Sequence, residues 1–453
     1  MPSFAARATA WLIVVATLAI FTVIASPPAV AFCGFFVGKA DASLFNEASQ
    51  VIMVRRDGKT VISMANDYRG ELTEFALVVP VPQVLERGQI HIGERKLFER
   101  IDAYSAPRLA EYFDPDPCAV RRAMKLSGAM DQVAPASVAA ADAKRERALG
   151  VTVEAAYTVG EYDIVMLSAK QSDGLETWLR ENGYRIPKGA STALRPYVRQ
   201  NMKFFVAKVN LKEQAKTGVA YLRPLQFAFE SEKFMLPVRL GMLNAKGPQD
   251  LVLYVLSPQG RVETTNYRTV KLPANMDLPT FIRGEFGETY KTLFNTQALR
   301  EDYRAIFTEY FWDMSWCDPC AADPLTPDEL RQAGVFWLGA PGATGAGARG
   351  GGQPVMLTRL HLRYTKESLP EDLMFQETAD RQNFQTRYVL RHPWRGDAGA
   401  CAEAPAYFEE VARRQEREAA TLASLTGRDI NDIRAKMALA PQPKNRWWDA
   451  LWK

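Results

Sequence analysis

The residues with the clearest chemical spacing are Cys317 and Cys320, which form a C-x-x-C pair in the segment Trp316-Cys-Asp-Pro-Cys320. In a thioredoxin-like site the first thiol lies at a helix N-terminus, where its pKa is lowered, and it acts as the nucleophile. Here Cys317 would attack and Cys320 would resolve the mixed disulfide. The other interpretation is a structural disulfide that braces a loop.

Three features of the flanking sequence favour the structural disulfide. The preceding residues predict an amphipathic helix, whereas a thioredoxin-like site follows a strand. The helix that should follow is interrupted at Asp323-Pro324. Asp313, Asp318 and Asp323 place negative charge nearby, which disfavours a thiolate.

The number of cysteines limits how they can pair. The chain has five: Cys33, Cys118, Cys317, Cys320 and Cys401. In an oxidising compartment cysteines tend to pair, and an odd number leaves at least one thiol free or paired outside the chain. The disulfide candidates are Cys317, Cys320, Cys33 and Cys118, and the connectivity stays open.

The first 31 residues have the pattern of an export signal. An apolar run spans residues 10–24, Pro27 and Pro28 follow it, and Ala29-Val-Ala31 matches a cleavage site. The run is shorter than the ~20 residues of a membrane-spanning helix, although an uncleaved anchor stays open. We therefore expect an exported protein of the periplasm or cell surface.

Other candidate chemistry is weaker. Three histidines (His91, His361 and His392) are far apart in sequence, so only folding could assemble a histidine-based site. Glu285 and Glu288 fit one helix face and could form a carboxylate pair. Gly345-x-Gly347-x-x-Gly350 matches a dinucleotide fingerprint, but a predicted strand follows it where that fingerprint needs a helix. We predict no cofactor and no metal.

The charge of the chain limits its partners. A formal net charge of +4 over 453 residues gives no support to a nucleic-acid partner, which needs a concentrated basic face. We expect an envelope partner whose identity the residues do not specify.

The C-terminus offers a possible peripheral membrane contact. Trp447, Trp448, Leu451 and Trp452 fall on one helical face with cationic residues around it, as in an interfacial anchor. The alternative is that these side chains dock into a groove on the protein itself.

The pattern of elements predicts an α+β fold with a mostly antiparallel sheet, inserted helices and a helical C-terminal tail. Asp57-Gly58 predicts a hairpin between two apolar runs. Helices are predicted at 94–104, at 106–113 and, as one long amphipathic helix, at 287–314. Thr326-Pro-Asp-Glu329 predicts a helix start with a capping box.

These predictions divide the chain into three parts. Residues 1–31 are the signal and 32–398 a composite α+β domain. Within that domain, about 127–149 form a surface excursion and 339–352 a glycine-rich loop. Residues 399–453 form the helical tail.

Several segments resemble a bacterial family catalogued as domain of unknown function 2330. They are Cys33-Gly-Phe-Phe36, Tyr68-x-Gly70, Phe75-Ala76, Pro80-Val-Pro82, Val159–Leu167 and Trp178–Pro187. The resemblance covers about residues 32–210 well and implies an exported bacterial protein. It implies no activity, cofactor or catalytic residue. Our functional hypothesis is a non-enzymatic envelope protein that binds or scaffolds, and the alternative is an extracytoplasmic thiol–disulfide oxidoreductase.

Overall fold

The computed structural model describes residues 35–38, 45–69, 75–119, 151–217, 221–244, 247–316, 318, 323–338 and 354–437. Within these ranges the chain forms twenty strands and eight α-helices. The strands are β1 Phe35–Gly38, β2 Phe45–Arg56, β3 Lys59–Arg69, β4 Phe75–Val81, β5 Ile90–Ile92, β6 Arg108–Phe113, β7 Val151–Val159, β8 Tyr162–Ala169, β9 Lys203–Val209, β10 Leu225–Glu230, β11 Met235–Leu236, β12 Gln249–Ser257, β13 Val262–Thr264, β14 Arg268–Lys271, β15 Met276–Leu278, β16 Ala305–Asp313, β17 Met356–Tyr364, β18 Leu373–Glu377, β19 Phe384–Gln385 and β20 Arg387–His392. The helices are α1 Arg95–Ser105, α2 Ser172–Glu181, α3 Ala190–Arg199, α4 Leu211–Lys216, α5 Phe286–Arg300, α6 Pro327–Gln332, α7 Ala404–Thr426 and α8 Ile430–Lys436.

Two sheets packed face to face form the centre of the molecule. The larger has nine strands in the order β14-β16-β17-β12-β2-β3-β10-β5, with β19 beside β16, and the smaller has the order β1-β4-β9-β8-β7. Ile62, Leu253 and Leu360 from the larger sheet share one buried cluster with Val79 and Phe205 from the smaller. Burial of these apolar side chains is the main force holding the sheets together.

Helices cover the outer faces of both sheets. Helices α2 and α3 cover the five-stranded sheet through side chains such as Leu175 and Leu194. On the nine-stranded sheet, Phe98 of α1 and Leu330 of α6 contribute to one cluster, while α5 and α7 contribute to a second that includes Leu422. The result is four layers: helices, sheet, sheet and helices.

The α+β class is confirmed. Most strand pairs are antiparallel; β2–β12, β14–β16 and a small sheet of β15, β20 and β6 are parallel. The predicted hairpin is confirmed as β2–β3, with Asp57 and Gly58 at φ 49° and 77°. The capping box at Thr326 and Glu329 is also confirmed.

The single long helix predicted at 287–314 is wrong. The helix ends at Arg300, and Asp302 and Tyr303 both have positive φ, at 50° and 56°. The rest of the segment is β16, which is almost entirely buried. A strand buried on both faces is a near-continuous apolar run, and such a run also satisfies helical spacing.

The second helix, predicted at 106–113, is also wrong. Ala106 precedes Pro107 and has an extended ψ of 148°, because a proline disfavours the helical region for the residue before it. The chain continues as β6, which pairs in parallel with β20, about 280 residues later.

Helices α7 and α8 lie in the segment predicted as the tail, and Leu422 and Ile433 pack in the same cluster as Phe294. The predicted surface excursion at 127–149, the glycine-rich loop at 339–352 and the chain from 438 onward lie outside the described residues. In the part of the chain that is described, no helix is both long and apolar enough to cross a membrane.

The turn after α6 yields a test of the packing. Gly334 has φ 101°, and a Cβ there would lie 2.6 Å from Cγ1 of Val61 on β3. Gly189 has a similar φ of 87°, with nothing within 4 Å of its would-be Cβ. Gly334→Ala and Gly189→Ala should both cost about 1–2 kcal/mol for the left-handed backbone. Gly334→Ala should cost about 1–3 kcal/mol more because of overpacking. Urea denaturation measures both, and equal losses would contradict the packing of α6 on β3.

Candidate functional site

A row of charged side chains lies on the outer face of the nine-stranded sheet. Arg359, His361 and Arg363 alternate along β17 and therefore point to one face. Their partners come from the neighbouring strands β12 and β16 and from helices α1 and α5 above the sheet. The row lies between the two apolar clusters on this face.

Glu309 is the centre of this row. Between Thr308 and Tyr310 the register of β16 against β17 shifts by one residue, so Glu309 occupies a β-bulge, a feature that re-aims a side chain. Its carboxylate is fully buried. One oxygen lies 2.6 Å from Nδ1 of His361, and the other accepts from Nε of Arg359, also at 2.6 Å. The hydroxyl of Tyr290 on α5 donates to the first oxygen.

These contacts determine the charge of Glu309. Burial by itself raises the pKa of a carboxyl group. Here the positive charges of His361 and Arg359, together with hydrogen bonds from His361 and Tyr290, outweigh burial and lower the pKa of Glu309 to about 2. Glu309 is therefore a carboxylate at neutral pH.

Two further carboxylates extend the row. Asp102 of α1 accepts from Arg359 and from the hydroxyl of Tyr254, each at 2.7 Å. Asp250 of β12 pairs with Arg363, whose Nε lies 2.7 Å away. Asp250 is also 3.9 Å from Nε2 of His361. The basic side chains and the carboxylates thus alternate in space.

The surroundings of His361 show what this row can do. Its ring stacks on Phe294 with 3.6 Å between centroids and 2° between planes, and its side chain is 13% exposed. A carboxylate faces each ring nitrogen, and each carboxylate is shared with an arginine. His361 of β17 therefore contacts β16 and β12 through these carboxylates and α5 through Phe294. The row as a whole joins helices α1 and α5 to the sheet.

The other predicted histidines lie elsewhere. His392 on β20 contacts Glu111 at 2.7 Å and stacks on Phe113, and His91 is exposed on the edge strand β5. The structure therefore does not assemble the three histidines into one site. Among the described residues, no group of three or more His, Cys, Asp or Glu could hold a metal ion.

Glu285 and Glu288, which the sequence suggested as a carboxylate pair, form ion pairs with different residues. Glu285 binds Arg428 at 2.9 Å and Lys436 at 3.3 Å, which attaches the C-terminal helices to α5. Glu288 binds Lys291 on its own helix. Cation pairing accounts for both residues.

Most of the other predicted site residues lie outside the described residues: Cys33, Cys317, Cys320, Trp447, Trp448, Leu451, Trp452 and the glycines at 345–350. Cys118 is described, and its partner is Cys401, 283 residues away, with the two Cα atoms 5.8 Å apart. This bridge joins the loop after β6 to the residues just before α7.

The described residues next to the C-x-x-C pair contradict the prediction that a helix precedes it. A strand, β16, precedes it, and not a helix. Asp318, which lies between the cysteines, is buried and accepts from the hydroxyl of Tyr310 at 3.0 Å and from Nε2 of Gln385 at 2.7 Å. Asp313 forms an ion pair with Arg381. Asp318 is therefore held against β16 and β19.

An apolar cleft opens at one end of the space between the two sheets. It encloses about 230 Å³, and its walls include Met64 and Phe227 of the larger sheet and Val79 of the smaller. Gln200 and Lys233 lie at its mouth. Its apolar walls and partly exposed opening give it a shape that could hold a small molecule.

Sequence reasoning missed both the charged row and the cleft. The alternation Arg359-x-His361-x-Arg363 on a predicted strand was a usable signal, because two arginines and a histidine on one face of a buried strand require polar or acidic partners. The cleft had no local signal, since its walls come from strands of both sheets.

Comparison with known proteins supports the resemblance stated above. A family model described as "Uncharacterized protein conserved in bacteria (DUF2330)" matches residues 27–376, about three quarters of the chain. The match therefore extends well past residue 210. No curated protein and no solved structure matches the chain.

The charged row predicts a pH-dependent contribution to stability. Because the pKa of Glu309 is lowered in the folded state from its ordinary 4.5 to about 2, its charge stabilises the fold above pH 4.5. This contribution is lost as the pH falls through 2. Glu309→Gln should lower the free energy of unfolding by about 3 kcal/mol at neutral pH, and the difference from wild type should shrink as the pH approaches 2.

Glu288→Gln is the matched control, because Glu288 is 75% exposed on the helix that covers the row. We expect it to change stability by less than about 0.5 kcal/mol. Urea denaturation at neutral pH and at about pH 3 measures both variants. A Glu309→Gln loss equal to that of the control, or independent of pH, would contradict the assignment.

Proposed function

We propose that this chain, which belongs to the DUF2330 family of uncharacterized proteins conserved in bacteria, is an exported envelope protein. In this proposal the protein binds or scaffolds and performs no catalysis. Membership of the family does not by itself imply an activity. The observation that carries this proposal is the disulfide between Cys118 and Cys401. Structural disulfides persist in oxidising compartments and are rare in the cytosol.

The position of this bridge supports a structural role outside the cytoplasm. Cys118 lies just after β6, and Cys401 lies three residues before α7. Next to it, Arg414 of α7 pairs with Asp114 at 2.7 Å, and the hydroxyl of Tyr407 donates to the same carboxylate. The covalent bond and these polar contacts attach the C-terminal helices to the domain. The apolar run at residues 10–24, with Ala29-Val-Ala31 after it, is the sequence support for export.

The charged row supports the non-catalytic part of the proposal. A catalytic base must be within reach of its substrate, whereas the side chain of Glu309 is fully buried and both its oxygens are hydrogen-bonded within the protein. Such a network serves the architecture of the protein. Binding would then use surfaces elsewhere, including the aromatic C-terminal segment as a possible peripheral contact with the membrane.

The C-x-x-C pair completes the proposal as a second structural disulfide, Cys317–Cys320. Its support is the buried Asp318, which is hydrogen-bonded to Tyr310 and Gln385 and disfavours a neighbouring thiolate. One observation favours the alternative, a thiol–disulfide oxidoreductase: the pair follows a strand, as it does in thioredoxin-like sites.

Peptide mapping of non-reduced protein, expressed from its full-length gene and taken from the periplasm, tests this proposal. We expect an N-terminus at Phe32, a cross-linked peptide pair containing Cys118 and Cys401, and an oxidised Cys317–Cys320 peptide that resists dithiothreitol. The physical reason is that unstrained structural disulfides have low reduction potentials.

Differential alkylation separates the outcomes. A readily reduced pair in which Cys317 is alkylated near neutral pH would replace the structural assignment with the oxidoreductase. Retention of the protein in the cytoplasm with Cys118 and Cys401 as free thiols would contradict export.

A further inference from the structure

The cleft between the sheets lies where three strands end or begin. Pro80 and Pro82 mark the end of β4, Met202 immediately precedes β9, and Phe229 is near the end of β10. Pro residues cannot donate to a ladder and so limit a strand. Residues of the segment from Ser231 to Pro237 form the remaining wall.

The interior of the cleft is apolar and adaptable. Met64, Met202 and Met235 contribute three thioethers, and Phe227 and Phe229 contribute two rings. Methionine side chains fill irregular apolar space and adjust to different occupants. A cavity of about 150 Å³ lined by leucine, isoleucine and phenylalanine admits benzene. A volume of about 230 Å³ therefore suits a longer apolar group, such as a chain of about eight to ten carbons.

The mouth of the cleft carries a cation. Lys233 is exposed, and its ammonium donates to the side-chain oxygen of Gln200 at 2.6 Å. This partner is neutral, so a carboxylate placed at the mouth would form a charge-assisted hydrogen bond with Lys233, which is stronger than a neutral one. Glu232 is also at the mouth, and it would oppose a ligand with more than one negative charge.

Arg55, near the end of β2 in the β2–β3 hairpin, holds the segment that carries Lys233 in place. The guanidinium of Arg55 donates to the carbonyl oxygen of Ser231 at 2.8 Å and to Oγ1 of Thr60 at 2.7 Å. It also lies 5.3 Å from the ring centroid of Phe234. The mouth is therefore formed before any ligand arrives, which lowers the entropic cost of binding.

From this geometry we propose that the cleft binds a medium-chain monocarboxylate, with its apolar chain between the sheets and its carboxylate at Lys233. The proposal deepens the binding role proposed above and rests on it. Its test does not depend on the cysteines or on export. A failure of the ligand-binding proposal can therefore be distinguished from a failure of the proposed function.

Titration calorimetry of the full chain with decanoate tests the proposal, with decan-1-ol as the neutral probe of equal length. Wild type should bind decanoate saturably at one site. Lys233→Gln should raise the Kd for decanoate about tenfold, which corresponds to about 1.4 kcal/mol, and leave the Kd for decan-1-ol unchanged. Lys366→Gln, at another exposed lysine, is the matched control and should leave both values unchanged.

A second variant tests the interior. Met235→Trp should fill the cleft and raise the Kd for both probes at least tenfold. Met276→Trp, on a short strand outside the cleft, should change neither, and thermal melts establish that each variant is folded. If Met235→Trp fails to fold, the exposed Lys233→Gln decides alone.

Three results would overturn the proposal. They are the absence of saturable decanoate binding, binding that Lys233→Gln and Met235→Trp leave unchanged, and decan-1-ol binding as tight as decanoate with no effect of Lys233→Gln. The last of these would point to a neutral apolar ligand instead.

Discussion

A buried carboxylate must find cationic or hydrogen-bonding partners, and Glu309 imposes this constraint on the outer face of the large sheet. Removing such a charge from water costs several kcal/mol unless its oxygens are satisfied. Arg359 and His361 of β17 and Tyr290 of α5 satisfy them. Asp102, which shares Arg359, extends the same network to α1. One side chain therefore specifies how two helices and two strands fit together.

The two faces of the large sheet consequently have different roles. The outer face combines two apolar clusters with the charged row between them, while the inner face is apolar and packs on the five-stranded sheet. Apolar packing is non-directional, so the two sheets need not close completely, and residues of both sheets line the cleft. The disulfide between Cys118 and Cys401 adds a third attachment, between the domain and the C-terminal helices. The charged row, the apolar cleft and the disulfide are thus three separate groups of residues.

Signals within a few residues predicted a turn and a helix start correctly. They did not predict features that depend on residues far apart in the sequence. Asp57-Gly58 and the capping box of Thr326 each act within four residues, and both predictions are confirmed. The segment that contains Glu309 was mistaken for a helix because β16 is buried on both faces and shows no alternation. The sequence contains five cysteines, but their spacing could not pair Cys118 with Cys401 across 283 residues. Likewise, the acidic partners of Arg359 and His361 come from elements far apart in the chain.

The most direct test of this account is a double-mutant cycle on Glu309 and Arg359. The free energy of unfolding is measured by urea denaturation for wild type, Glu309→Gln, Arg359→Met and the double variant. If the charged row is the shared constraint, the two losses are not additive, and the coupling energy is at least about 1.5 kcal/mol. Losses that add to within about 0.5 kcal/mol would contradict the central role of Glu309.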